Sequence, residues 1–104
     1  GSFGPMKAAM TAYANNLAQS LAGKNIRVNI VSPGPVYFDG GNWDTIKTHM
    51  EDFYKATVAK MPIKRLGEPQ EVANVVAFLA SPAASLVTGS NVTVDGGYTK
   101  RIKF

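Results

Sequence analysis

The 104 residues carry a net charge of +4, no cysteine and one histidine. Disulfides and thiolate catalysis are excluded, and His49 cannot build a metal site alone, so no metal is expected. Hydrophobic content of 45% fits a folded globular chain, and no apolar run reaches the ~20 residues that span a bilayer.

Pro5 suits the first turn of a helix, where its missing N–H is not needed. Met6, Met10, Tyr13, Leu17 and Leu21 recur at spacings of three and four, with Ala9, Ala14 and Ala18 widening the stripe. This predicts an amphipathic helix of about four to five turns that Gly23 ends near Ala22. Ile26–Val31 reads as a strand in which Ile26, Val28 and Ile30 alternate with Arg27 and Asn29. Pro33-Gly34-Pro35 stops it. Residues 36–42 read as a loop with Asp39-Gly40-Gly41 at its tip.

Asp44 or Thr45 is expected to cap a second helix running to about Lys60, with Ile46, Met50, Phe53, Tyr54 and Val58 on one face. His49 then lies on its surface. Met61-Pro62 ends that helix. Pro69 opens a third, with Val72, Val75, Val76 and Leu79 as its buried stripe and Glu68 and Glu71 at its positive end. Ser81-Pro82 closes it. Asn91–Asp95 is a short strand that Gly96-Gly97 turns away.

The order helix, strand, helix, helix, strand implies an α/β arrangement with two parallel strands joined through helices. Residues 1–104 are expected to form a single domain. Two parallel strands are few to stand alone, because parallel sheets are normally covered on both faces. Lys100, Arg101 and Lys103 concentrate charge at the end of the chain and read as a solubilising tail. No aromatic–basic stripe suggests base stacking, so neither a nucleic-acid nor a membrane partner is expected. No basic segment precedes an apolar run as in a signal peptide, and a cytoplasmic location is expected.

Several segments recur in a telling order. Phe3 stands four residues before Lys7-Ala8-Ala9, and Ile26-Arg27-Val28-Asn29 leads to Ser32-Pro33-Gly34-Pro35-Val36. Then come Arg65-Leu66-Gly67-Glu68-Pro69, Glu71-Val72-Ala73, Phe78-Leu79-Ala80-Ser81, Thr88-Gly89 and Val94-Asp95-Gly96-Gly97. Together they resemble the C-terminal half of the short-chain dehydrogenase/reductase family, from its Tyr-x-x-x-Lys helix onward. The resemblance implies the C-terminal portion of a Rossmann-like, doubly wound parallel sheet. It implies hydride transfer between NAD or NADP and an alcohol or ketone.

By this resemblance Lys7 matches the active-site lysine that holds the nicotinamide ribose and lowers the pKa of the neighbouring Tyr. A free phenol needs such help, since its pKa is about 10. Phe3 occupies the Tyr position and has no proton to give. Pro33, Gly34 and Val36 match the segment whose backbone approaches the nicotinamide carboxamide. Phe38 stands where relatives often have a Thr that contacts the cofactor. Tyr37, Phe38, Trp43 and Met50 fall in the region that lids the substrate, and there Tyr37, Phe38 and Trp43 are candidate substrate contacts. Arg65, Gly67, Asp95 and Gly96 read as structural. Without the resemblance, Lys7 reads as a solvated helix residue and Pro33-Gly34 as a strand-ending turn.

The glycine-rich phosphate turn and the family's catalytic Ser do not occur in these residues. The chain is therefore expected to be a fragment that binds no cofactor tightly and is inactive alone. The competing reading is a non-catalytic oligomerisation or assembly module of the same descent. A homo-oligomer is expected in either case, through the first helix and the open sheet edge.

Overall fold

In a computed structural model of the protein, residues 3–99 are described; of Phe3, Pro5 and Lys7 only the backbone is. Helix α1 spans Phe3–Leu21. Pro5 falls third in it, still within the first turn, whose N–H groups have no intrahelical acceptor. The α-helix ends at Leu21, next to the expected Ala22. A 3-10 turn, Ala22–Lys24, continues it, and Asn25 takes the left-handed conformation at φ 65° and donates its N–H to Ala22 O. Asn tolerates that conformation better than most side chains do.

Strand β1 spans Ile30–Pro33 and β2 spans Asn91–Val94, and they form a two-stranded sheet. Ile30 N–H donates to Ser90 O and Gly34 N–H to Val94 O. The constant offset of the two pairs makes the strands parallel, as expected from the helical crossover. The strand expected at Ile26–Val31 is displaced toward the C-terminus, for two reasons. Arg27 and Asn29 do not form its solvent face: their side chains bind backbone carbonyls elsewhere, as described below. And Pro33 does not stop β1 but ends it from within. Ile30 and Gly34 are the residues that donate to β2, so the N–H that proline lacks belongs to the other edge of the strand.

The single helix expected from Asp44 or Thr45 to Lys60 is two helices, α2 at Asn42–His49 and α3 at Glu51–Lys60. Met50 breaks them with φ −137° and ψ 59°. The charges suit two helices. Lys47 and His49 stand at the negative end of α2, and Glu51 and Asp52 at the positive end of α3. Gly41, not Asp44, is the N-cap of α2. Helix α4 spans Pro69–Ala80, as the sequence predicts.

The chain divides into two contact-dense units, one taking the chain through Ser32 with Val76–Val92, the other Pro33–Val75 with the chain from Thr93. In the first unit Ala18, Leu79 and Ala84 are buried. Arg27 fixes this unit from the side. Its guanidinium donates to Leu79 O at 2.7 Å, Val87 O at 3.2 Å and Ser81 O at 3.3 Å. It thereby satisfies carbonyls at the C-terminal end of α4, where a cation also suits the helix dipole. Asn29 donates to Val87 O and accepts from Ser90 N–H, so a side chain replaces a rung of the ladder before β1 begins.

In the second unit Met61, Leu66 and Thr57 are buried. Thr57 is satisfied by donating to Phe53 O. Gly67 pairs with Val36 in an isolated parallel bridge, donating to Pro35 O and accepting from Tyr37 N–H. Arg65 makes a two-pronged ion pair with Glu71 at 2.7 and 3.0 Å, and Glu71 also accepts the Glu68 N–H. These bonds hold the Glu71 carboxyl down at about 2, Arg65 being the larger cause.

Candidate active site

The candidate residues fall in both units. Phe3 and Lys7 stand in the first turns of α1, where a spacing of four puts two positions on one helical face. Their side chains lie outside what the structure describes, as do Lys100, Arg101 and Lys103. Pro33, Gly34, Val36, Tyr37, Phe38 and Trp43 all belong to the second unit.

Gly34 is required by close approach. A Cβ there would lie 2.5 Å from Asp95 Cβ and 2.9 Å from Asp95 Cα. The end of β1 and the end of β2 can meet only with no side chain at this position. On the β2 side, Asp95 accepts the N–H groups of Gly97 and Thr99, while Gly96 and Gly97 turn with φ of +60° and +84°. That explains the structural reading of Asp95 and Gly96. Beside this turn lies a cavity of about 60 Å³, lined by Val36, Met61, Ile63, Val72 and Asp95 among others. It is far smaller than the roughly 300–1,000 Å³ of ligand pockets.

From Val36 the chain enters a segment tied by its own aromatic rings. Trp43 and Phe53 stack with centroids 5.9 Å apart and planes 5° from parallel. Ten positions separate them, about 15 Å of rise in a continuous helix. Only the break at Met50 lets α3 fold back so that the rings meet. Tyr37 meets Tyr54 edge-on at 6.4 Å. The Lys47 ammonium lies 5.4 Å from the Tyr37 ring and 5.6 Å from the Tyr54 ring.

Asp44 joins the two ends of this segment. It accepts the Tyr37 hydroxyl at 3.1 Å and the Gly40 N–H at 2.9 Å. The Gly40 bond, then the Tyr37 bond, lower its pKa, and Lys47 adds to this. Tyr37 shifts upward, first through its partial burial and then through Asp44. Its hydroxyl is thus a firmly held donor. Phe38 lays its ring over Gly41, where a Cβ would meet it at 2.6 Å. The ring is still 52% exposed.

Of the three expected substrate contacts, Tyr37 is therefore engaged by Asp44, Tyr54 and Lys47, and Trp43 by Phe53. Phe38 keeps about half of its surface free. The sequence reading missed Asp44 and Lys47 as members of this group. Their signal was present in the charge reversal from Lys47 and His49 to Glu51 and Asp52, which marks the helix break.

Comparison with known proteins agrees with this architecture. A family profile described as Enoyl-(Acyl carrier protein) reductase matches residues 1–99. The chain belongs to the short-chain dehydrogenase/reductase family. It is 52% identical over 95 residues to isoepoxydon dehydrogenase patN of Aspergillus clavatus, covering 91% of this chain and 37% of that protein. It is 42% identical over 96 residues to 7alpha-hydroxysteroid dehydrogenase of Escherichia coli, covering 92% and 36%. The crystal structure of YwfH, an NADPH-dependent reductase involved in bacilysin biosynthesis, superposes with a TM-score of 0.80 at 36% identity, covering 93% of this chain and 39% of that one. The chain thus spans little more than a third of the relatives it matches. Members of its family are oxidoreductases that in general use NAD(P). Among the described residues, no helix is long and apolar enough to cross a membrane.

Proposed function

We propose that these residues are the substrate-side portion of an NAD(P)-dependent oxidoreductase that transfers hydride between the cofactor and an alcohol or ketone. The observation that supports this reading is the family match over residues 1–99, a span in which Lys7 stands four residues after Phe3. Lys7 holds the nicotinamide ribose in this reading. The Pro33–Val36 turn presents its backbone to the carboxamide, and the segment from Tyr37 through α3 covers the substrate. Phe3 fills the acid/base position without a transferable proton. The 104 residues contain no glycine-rich phosphate turn, so the chain by itself binds cofactor weakly and turns over nothing. That turn supplies the backbone N–H groups and helix dipole that hold a pyrophosphate.

Calorimetry with NADH and NADPH tests the cofactor claim. No saturable heat is expected with the chain alone. A dissociation constant in the low micromolar range would mean that cofactor binding needs no phosphate turn.

A second reading, an assembly module without chemistry, is favoured by the exposure of α1. Met6, Met10 and Tyr13 are 61, 58 and 69% exposed. Such a face invites a partner, and a second copy is the default. Under this reading the chain self-associates and never supports turnover, even when joined to a cofactor-binding half from a relative.

A further inference from the structure

The first unit holds a cleft of about 430 Å³ beside β1 and the last turns of α4, lined by Asn25, Arg27, Asn29, Val31, Val76 and Leu79 among others. That volume falls within the roughly 300–1,000 Å³ of ligand pockets. Val31, Val76 and Leu79 give the cleft apolar surface, and Asn25, Arg27 and Asn29 give it polar atoms. Arg27 makes its three hydrogen bonds through Nη1 and Nη2, and its Nε–H has no acceptor among the described residues. The Asn25 carboxamide makes no hydrogen bond there either; only the Asn25 backbone N–H is engaged. Residues 1–32 and 76–92, which form this unit, include Lys7, Lys24 and Arg27 and neither Asp nor Glu. The ion pairs among the described residues lie elsewhere, at Lys55–Glu51 and Arg65–Glu71. What Arg27 meets instead is the carbonyl end of α4, and a helix end is equivalent to roughly half a negative charge. About half of the guanidinium charge is therefore uncompensated.

We propose that this cleft binds a small organic acid, its carboxylate at Arg27 and Asn25 and its hydrocarbon part against Val31, Val76 and Leu79. The chemistry on each side is complementary. Guanidinium N–H groups match carboxylate oxygens in geometry, and such charged bonds are stronger than neutral ones. The Asn25 carboxamide adds a donor of its own. Three carbonyls already hold Arg27 in place, so little side-chain freedom is lost on binding. An aliphatic stem takes from water the Val76 side chain, which is 48% exposed. None of these residues belongs to the candidate active site, so this is a second site, independent of the oxidoreductase reading.

The test titrates the chain with butyrate and, separately, with butan-1-ol, which has the stem without the charge, and follows the Arg27 Nε–H and Val76 resonances. A saturable shift of both is expected for butyrate, with butan-1-ol weaker by about fivefold, the upper range for one exposed ion pair. Asn25→Asp places a carboxylate in the cleft and abolishes the preference, while Asn25→Gly, which only removes the carboxamide, keeps most of it. Both variants accept the left-handed backbone that Asn25 holds at φ 65°. Equal affinity for the two probes, a preference that persists in Asn25→Asp, shifts confined to residues outside the cleft, or the absence of saturation with butyrate each overturns the proposal. The wild-type arms decide even if a variant fails to fold. Neither cofactor nor turnover enters this measurement. A failure here leaves the oxidoreductase reading intact, and a complemented protein without turnover leaves this site intact.

Discussion

Helix α1 and the α2–α3 hairpin both carry large apolar side chains, and they spend them differently. The hairpin turns its rings on one another: Trp43 on Phe53, Tyr37 on Tyr54, Phe38 over Gly41. Asp44 closes the segment with two hydrogen bonds. Helix α1 buries Ala18 and leaves Met6, Met10 and Tyr13 in solvent. Its last turn has no basic residue and its first no acidic one. The hairpin engages most of its rings with one another, though Phe38 and Phe53 stay about half exposed, while the Met6, Met10 and Tyr13 face of α1 has no such internal partners among the ring contacts described. Under the proposed function the division carries over: α1 would supply positions for chemistry completed by the missing cofactor-binding half, and the hairpin a surface for substrate.

The sharpest test of that division is at Phe3. When the chain is joined to the cofactor-binding half of a relative, activity is expected to be low and Phe3→Tyr to raise it by ~10²-fold or more, the usual scale of a positioned general acid. Steady-state turnover with a ketone substrate measures this. Equal rates would show that another group or water delivers the proton, and α1 would lose its chemical role.

A smaller effect is expected from charging the open face of α1. Met10 is exposed, so Met10→Asp should leave the fold intact. If that face pairs with a second copy, burying Met10 contributes up to ~1.5–3 kcal/mol, and its loss weakens association about tenfold or more. Sedimentation equilibrium at micromolar concentration reads the change. A wild-type chain that is monomeric there would mean that α1 needs no copy of itself to cover it.

Smaller still are two glycine substitutions that compare the sheet end with the hairpin. Gly34→Ala drives a methyl into the backbone and Cβ of Asp95 and should cost ~1–3 kcal/mol, the usual range for overpacking. At Gly41 the obstacle is the far end of the Phe38 ring, which can swing aside. Gly41→Ala should therefore cost less than Gly34→Ala while freeing Phe38. Urea unfolding ranks the two, and the reverse order would refute the account of Gly34 as a close-approach glycine.

Much of this organisation was legible from the residues. Spacing gave α1 and α4 nearly to their ends, and the parallel sheet followed from element order. The family segments pointed to one architecture because many weak matches lay in order. What escaped was tertiary. Arg27 and Asn29 alternate with apolar neighbours like the polar face of a strand, yet they bind carbonyls from residues 79–87. No local pattern reveals partners more than fifty positions away. The stripe Ile46, Met50, Phe53 ran on as one helix because hydrophobic period ignores a single non-helical residue. The charge reversal around Met50 carried the break, and the ring pairs that depend on it could not be seen without it. At Phe3 and Lys7 the sequence speaks through family position rather than through contacts.

The last expected difference between the two regions is their response to acid. Helix α1 contains no Asp or Glu, so acid has no carboxylate to protonate within it. The hairpin depends on Asp44, whose pKa is lowered by Gly40 and Tyr37. A carboxyl depressed in the folded state contributes stability that is fully present above its unfolded pKa of about 3.9 and is lost as pH falls through the folded value. The Tyr37 and Gly40 bonds should therefore weaken below about pH 4, and Trp43 fluorescence should change with them. Glu71 titrates in the same direction, down to about 2, at the start of α4. Asp44→Asn separates the two. It should remove the acid-dependent step at Trp43 while leaving the loss of the Arg65–Glu71 pair in place. If Asp44→Asn leaves the acid titration of Trp43 unchanged, then the rings alone hold α2 to α3, and the carboxylate is a bystander.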